Sequence, residues 1–127
     1  MFKNLIYTSV VGLAFFLTSC RHDTDLSNLK AVSFISDVQP IIAGNCSQSG
    51  CHTGNVAGQD RSQFALITYD DIIKGGISPG NAQSSKIYQT ISNRLFAKVM
   101  PPKPLPMLSD DQVKLIYLWI QQGAKNN

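Results

Sequence analysis

The sequence predicts an all-α domain of a few short helices and long loops. Apolar residues recur at helical spacing in four segments, and no segment shows the convincing alternation of apolar and polar residues that is typical of a half-buried strand. Clusters of proline and glycine separate these segments and keep each helix short. The length of 127 residues fits one small domain with an additional segment at one end.

The first predicted helix opens the folded region, which is expected to cover residues 34–127. This helix ends around Gly44, and Pro40 inside it marks either the helix start or a kink, because proline removes a backbone donor and clashes with the preceding turn. Its apolar residues have the i, i+4, i+7, i+8 spacing of an amphipathic helix and are Phe34, Val38, Ile41 and Ile42.

The next two helices are predicted to be short. The segment Thr68–Gly76 begins with an N-cap residue, Thr68, and ends in glycines that stop a helix. After the turn at Ser78–Ala82, a further helix is predicted to run to about Arg94. Its buried residues follow at i, i+1 and i+4 and are Ile87, Tyr88 and Ile91.

The final helix has the clearest signals. It follows the segment Val99–Met107, where four prolines in nine residues predict an extended, stiff loop. Ser109 and Gln112 match a capping box, and Gly123 stops the helix. Its broad apolar face predicts docking in the core and consists of Val113, Leu115, Ile116, Leu118, Trp119 and Ile120.

The N-terminus has the pattern of a secretory signal peptide. Lys3 is followed by the apolar run Leu5–Leu17 and then by small residues. A membrane span needs roughly 20 apolar residues, so this run of 13 is too short to be an uncleaved anchor. Residues 1–19 are therefore predicted to be removed.

The stretch "LTSC" that ends this segment resembles the lipobox of bacterial lipoproteins. The resemblance implies that Cys20 is diacylated and becomes the first mature residue, and two acyl chains give stable anchoring where one is marginal. Residues 20–33 are polar and lack periodicity, so they are predicted to be a flexible tether, in which His22 is solvated. The expected location is outside the cytoplasm, on the periplasmic side or in the outer membrane. The alternative is ordinary cleavage that leaves Cys20 as a spare thiol.

The charge of the chain argues against a nucleic-acid partner. The formal net charge is +3 at pH 7, and removal of Lys3 with the signal peptide would leave +2. A nucleic-acid site needs a basic patch, and no run of basic residues interleaved with aromatic residues is present.

The stretch "CSQSGCH", from Cys46 to His52, allows three interpretations. A disulfide between Cys46 and Cys51 is possible outside the cytoplasm but leaves His52 unexplained. A zinc site needs four ligands, and only His22 in the tether could supply another nitrogen. Covalent haem uses all three residues, because two thiols add to the vinyl groups and the histidine binds iron. The usual spacing for haem is C-x-x-C-H, and the spacer here is two residues longer.

Four segments together resemble the small monohaem cytochrome c domains of exported bacterial proteins. These are "DVQPIIAGNCSQSGCHTG", "SPGNAQSSKIYQTI", "VMPP" and "LSDDQVKLIYLWIQQGA", in the order that the family has them. The resemblance covers about Phe34 to Ala124. It implies a cytochrome c-like all-α fold, with short helices and long loops packed around one covalently bound haem c.

The resemblance also implies a role for each matching residue. Cys46 and Cys51 match the thioether cysteines, His52 matches the proximal iron ligand, and Met100 matches the distal ligand. Met107 in the same loop is the competing methionine, and it is expected to be a core residue beneath the loop, because methionine is a common gap filler. The aromatic residues of the final helix are interpreted as core residues with possible contact to the porphyrin edge, and they are Tyr117 and Trp119.

The expected function is single-electron transfer by a lipid-anchored c-type cytochrome. With both axial positions of the iron filled, no site is open for a substrate, so the protein is not expected to be an enzyme. A redox protein of unknown identity is the expected partner, and the chain is expected to be a monomer. The alternatives are a haem-based gas sensor, and a haem-free structural lipoprotein with a Cys46–Cys51 disulfide.

Overall fold

The computed structural model describes residue 26 and residues 28–56, 59–60, 65–92 and 98–127. Within these residues helices are the main regular secondary structure, which confirms the all-α class, and none of the helices there is long and apolar enough to cross a membrane. In chain order the elements are a π-helical segment Phe34–Val38, α1 Gln39–Asn45, β1 Asn55–Val56, β2 Gln59–Asp60, α2 Tyr69–Lys74, α3 Lys86–Ser92 and α4 Asp110–Gln121. The two strands pair antiparallel and form a short hairpin that the sequence pattern does not predict.

The first helix is confirmed, and it consists of two parts. The four residues of its apolar pattern are all buried, as the i, i+4, i+7, i+8 spacing predicts. Its first five residues are π-helical, and Pro40 lies in the first turn of α1, which tolerates a missing backbone donor. Pro40 thus lies where the π-helical segment passes into α1, inside a helical stretch that begins at Phe34. The helix ends at Asn45, one residue after the predicted end.

The predicted caps of α2 and α4 are both present. The Thr68 hydroxyl accepts from the Asp71 N–H, and the Asp71 carboxylate accepts from the Thr68 N–H. Ser109 and Gln112 form the same reciprocal pair at the start of α4. At the other end of α4, Gly123 has a φ of 97°, a left-handed conformation that costs glycine little.

An aromatic cluster joins the C-terminal helix to the N-terminal helix. Trp119 is buried, and its ring lies 5.4 Å from the ring of Phe34 and 6.5 Å from the ring of Tyr69, measured between centroids. The indole N–H donates to the Lys125 carbonyl at 2.8 Å, and the Tyr69 hydroxyl donates to the Ala124 carbonyl at 2.8 Å. All the buried polar groups of the cluster are thus satisfied, and the interpretation of Trp119 as a core residue is confirmed.

The turn before α3 docks on the end of α4. The Gly80 N–H donates to the Ile120 carbonyl, and the Ala82 N–H donates to the Gln121 side-chain carbonyl, both at 2.7 Å. The fully buried Ser85 hydroxyl donates within the turn, to the Asn81 carbonyl at 2.9 Å. These bonds fix the position of α3 relative to α4.

The packed part of the chain begins before Phe34. Val32 is buried, its N–H donates to the Gln122 side chain at 2.8 Å, and the Gln122 amide donates to the Lys30 carbonyl at 3.1 Å. Residues 30–33, assigned to the tether from the sequence, therefore contact the end of α4. The predicted signal peptide, Cys20 and His22 lie outside the described residues, as does the predicted end of α3 near Arg94.

Candidate functional site

The "CSQSGCH" stretch forms a closed loop at the end of α1. The Cys46 N–H donates to the Ile42 carbonyl at 2.8 Å and caps the helix. The His52 N–H donates to the Cys46 carbonyl at 3.1 Å, and the Cys51 N–H donates to the Gln48 carbonyl at 2.9 Å. These bonds close the loop across the four-residue spacer, so the backbone brings Cys46, Cys51 and His52 together.

A left-handed glycine makes this closure possible. Gly50 has a φ of 83°, which a residue with a Cβ atom rarely adopts. No atom lies within 4 Å of the position that a Cβ of this residue would take, so the glycine is required by its backbone conformation and not by crowding. The small polar spacer thus turns within the loop, as its composition predicts.

The loop is also bound to the segment that precedes α2. The Leu66 N–H donates to the His52 carbonyl at 2.9 Å, and the Ser47 hydroxyl donates to the Leu66 carbonyl at 2.6 Å. Leu66 itself is buried in the core. The backbone of His52 is therefore held on one side by the loop and on the other by a core residue.

Both loop cysteines are free thiols, and both side chains are half-buried. Burial of the Cys46 thiol, with a smaller contribution from Cys51, raises the pKa of Cys46 from 9.0 to about 11. Cys46 therefore holds its proton more firmly than an exposed thiol does. No disulfide joins the two cysteines in the structure.

The described residues do not offer a set of ligands for zinc. Among the residues that the structure describes, no group of three or more Cys, His, Asp or Glu side chains is placed to hold a metal ion. His22, the only further histidine, lies outside these residues.

Met100 lies on the proline-rich loop, which is a separate segment from the cysteine loop. The Met100 N–H donates to the Thr90 carbonyl of α3 at 3.0 Å, and the half-buried side chain packs against the hydrophobic core. The described part of this loop is neither helical nor in a strand, as its four prolines predict. A backbone bond to a helix and a proline-restricted loop hold the thioether in a defined place.

The expectation that Met107 is a buried gap filler is wrong. Met107 is 36% exposed, whereas the next residue, Leu108, is buried at 5% exposure. The sequence could not decide which of two adjacent apolar residues faces the core.

A cavity of about 350 Å³ lies between α3 and α4, beside Met107. The rings of Tyr88 and Tyr117 form part of its wall, with centroids 5.4 Å apart. Both tyrosines are half-buried and pack against the hydrophobic core while they line the cavity, whereas Trp119 is buried within the core. The apolar spacing of the two helices predicts burial of these positions but not that their aromatic rings pair beside a cavity.

Comparison with known proteins identifies one family. Residues 49–104 match the family described as Planctomycete cytochrome C, and the match includes Cys51, His52 and Met100 but neither Cys46 nor Met107. The chain matches no curated protein and no solved structure at a significant level. The family match supports a small cytochrome c domain in this chain, as the sequence resemblance predicts.

A cytochrome c domain implies covalently bound haem c, and the residues of the loop fit such a group. Thioether bonds require two free, accessible thiols, and iron requires a nitrogen ligand beside them. Cys46 and Cys51 are free and half-buried, and the half-buried His52 follows directly. The roles of the individual residues, including Met100 as the distal ligand, stay predictions.

Proposed function

We propose that the protein is a lipid-anchored c-type cytochrome that carries single electrons through a haem with His52 and Met100 as axial ligands. The observation that carries the proposal is the closed loop in which two free thiols and an imidazole come from one short stretch of backbone. Haem c, when bound, supplies a one-electron couple between ferric and ferrous iron.

Each residue of the loop has a distinct task in this proposal. Cys46 and Cys51 hold the porphyrin covalently, so the group is not lost when the domain opens. His52 binds iron from the proximal side, and its backbone bonds to Cys46 and Leu66 hold the stretch of chain that carries the imidazole.

Met100 supplies the distal ligand in this proposal. A thioether is a soft ligand, and a histidine and methionine pair raises the reduction potential of haem. The sequence resemblance implies Met100, and not Met107, as the distal ligand. The half-buried side chain of Met100 is also the better protected from water. With both axial positions filled, we propose a carrier of electrons and not an enzyme or a gas sensor.

A potentiometric titration of the visible spectrum tests the carrier function. Protein purified from a host that matures c-type cytochromes should be oxidised and reduced reversibly with the slope of a one-electron couple. The ferrous form should not bind carbon monoxide, because Met100 occupies the distal position. Ready binding of carbon monoxide by the unmodified protein would favour the gas-sensor alternative.

The lipid anchor predicts that Cys20→Ala releases the protein from membranes. Loss of the diacyl chains removes the only anchor that the sequence predicts for the mature protein, and the membrane-bound fraction should fall on the order of tenfold or more. The measurement is the distribution between membrane and soluble fractions, together with incorporation of labelled palmitate. Ser19→Ala is the matched control and should keep both the membrane association and the palmitate labelling. Unchanged membrane association and labelling of the Cys20 variant would rule out the lipoprotein assignment.

A further inference from the structure

The described residues that come soonest after Cys20 in the sequence lie at one end of the domain. Leu26, Leu29 and Lys125 line a hollow of about 230 Å³ beside Trp119. Ile35 adjoins this hollow, because its N–H donates to the carbonyl of Asn127, which also lines it. We call this surface the anchor-side face and define it by Leu26, Leu29, Lys30, Ile35 and Lys125.

The anchor-side face is both apolar and basic. Leu29 is 47% exposed and Ile35 is 60% exposed, so two large aliphatic side chains face solvent here, as Ile67 and Leu105 do elsewhere in the described part of the domain. Lys30 and Lys125 are both exposed; Lys125 lines the hollow, and the Lys30 carbonyl accepts from the Gln122 amide, which also lines it. Exposed aliphatic residues beside lysines are typical of surfaces that rest at the headgroup region of a membrane with anionic lipids.

The length of the connecting chain keeps this face close to the bilayer. The six residue steps from Cys20 to Leu26 extend to at most about 22 Å. The contacts of Val32 and Lys30 with Gln122 shorten the free connection, because the chain is already bound to the domain at these residues. Of the surfaces that the structure describes, this one is nearest in sequence to the predicted lipidation site, Cys20.

We infer that the anchor-side face rests on the bilayer that holds the lipid of Cys20, with Leu29 and Ile35 at the headgroup boundary and the two lysines on lipid phosphates. This inference rests on the lipid anchor of the proposed function. On this inference the connection between Cys20 and the domain is shorter than the predicted tether of residues 20–33, and the domain has a preferred orientation on the membrane.

The cysteine loop lies at the opposite end of a helical segment from the anchor-side face. The π-helical segment and α1 follow one another without a break from Phe34 to Asn45, about 16 Å. Ile35 lies in the first turn of this segment, and Cys46 directly follows its other end. The anchor-side face and the cysteine loop are therefore separate parts of the domain.

Photo-crosslinking in vesicles tests this orientation with matched pairs of positions. The full-length, lipidated holoprotein is reconstituted in vesicles of phosphatidylethanolamine and phosphatidylglycerol, with p-benzoylphenylalanine in place of Leu29 or Ile35. Leu105, 45% exposed, is the control for Leu29, because it precedes the start of α4 and the anchor-side face lies at the end of that helix. Ile67, 51% exposed, is the control for Ile35, because it follows Leu66 beside the cysteine loop.

The expected result is a yield of lipid adducts about tenfold higher at positions 29 and 35 than at positions 105 and 67, because a docked face lies within reach of the acyl boundary and the controls do not. Equal yields in vesicle-bound protein would overturn the orientation and leave the anchor intact. Adducts to a second copy of the chain at positions 29 and 35 would assign the face to self-association instead. Protein that does not sediment with vesicles would overturn the anchor and the orientation together.

Discussion

The double variant Cys46→Ala, Cys51→Ala should lose all covalently bound haem when it is produced in a host that matures c-type cytochromes. Both thioether bonds depend on these two sulfur atoms, and no other cysteine of the described residues could replace them. Any haem that still enters the site would be held by His52 and Met100 alone. The measurement is haem-associated peroxidase activity on a denaturing gel, which detects only covalently attached haem.

The loop offers a matched control for this experiment. Ser49 is an exposed residue of the four-residue spacer, and Ser49→Ala should leave the attachment of haem unchanged. Each single cysteine variant should keep one thioether and therefore give a positive band. Covalent haem in the double variant at the level of the control would contradict the assignment of the loop.

Met100→Ala should keep the haem attached and open the distal position. The thioether bonds and His52 still hold the group, but the soft ligand is lost. The reduction potential should fall on the order of 0.1 to 0.3 V, a part of the roughly 0.8 V range that axial ligands control. The ferrous form should then bind carbon monoxide, and the weak ferric absorption band at long wavelength that reports methionine bound to iron should disappear.

Met107→Ala is the control for Met100→Ala. Because Met107 is 36% exposed, its truncation should cost little stability and should change neither the potential nor the band. A band that survives Met100→Ala and disappears in Met107→Ala would show that Met107 is the ligand. The cavity beside Met107 would then be the place to look for the distal side of the haem.

The helix boundaries were predictable because their causes are local. The capping box at Ser109 involves a side chain and a backbone group three residues apart, and so does the box at Thr68. The apolar spacing of the first helix likewise depends on one element only. Its π-helical start was not predictable, because residues with the same apolar spacing can form either hydrogen-bond pattern.

The docking of residues 30–33 was not predictable, because it depends on contacts between distant parts of the chain. The Val32 N–H bonds to Gln122, 90 residues away, whereas the polar composition of residues 20–33 as a whole is typical of a tether. The hairpin was missed for a different reason. Each of its strands has two residues, and two residues show no alternation.

The chemistry of the site was more predictable than its surroundings. Cys46, Cys51 and His52 are close in sequence, so their spacing alone predicts that they act together, and the structure brings them into one closed loop. Met100 depends on how a separate loop is placed, and only the family resemblance connects it to the other three. The pairing of Tyr88 with Tyr117 required the relative position of α3 and α4, which no local pattern gives.

The most direct test of covalent haem is the intact mass and the reduced pyridine haemochrome spectrum of the unmodified protein. If haem is covalently attached, the measured mass is that of the mature lipidated chain plus one haem. The haemochrome band then lies at the position that shows both vinyl groups saturated by thioether bonds to Cys46 and Cys51. A colourless protein with no added haem mass, lighter by two hydrogen atoms because of a Cys46–Cys51 disulfide, would contradict the covalent attachment of haem.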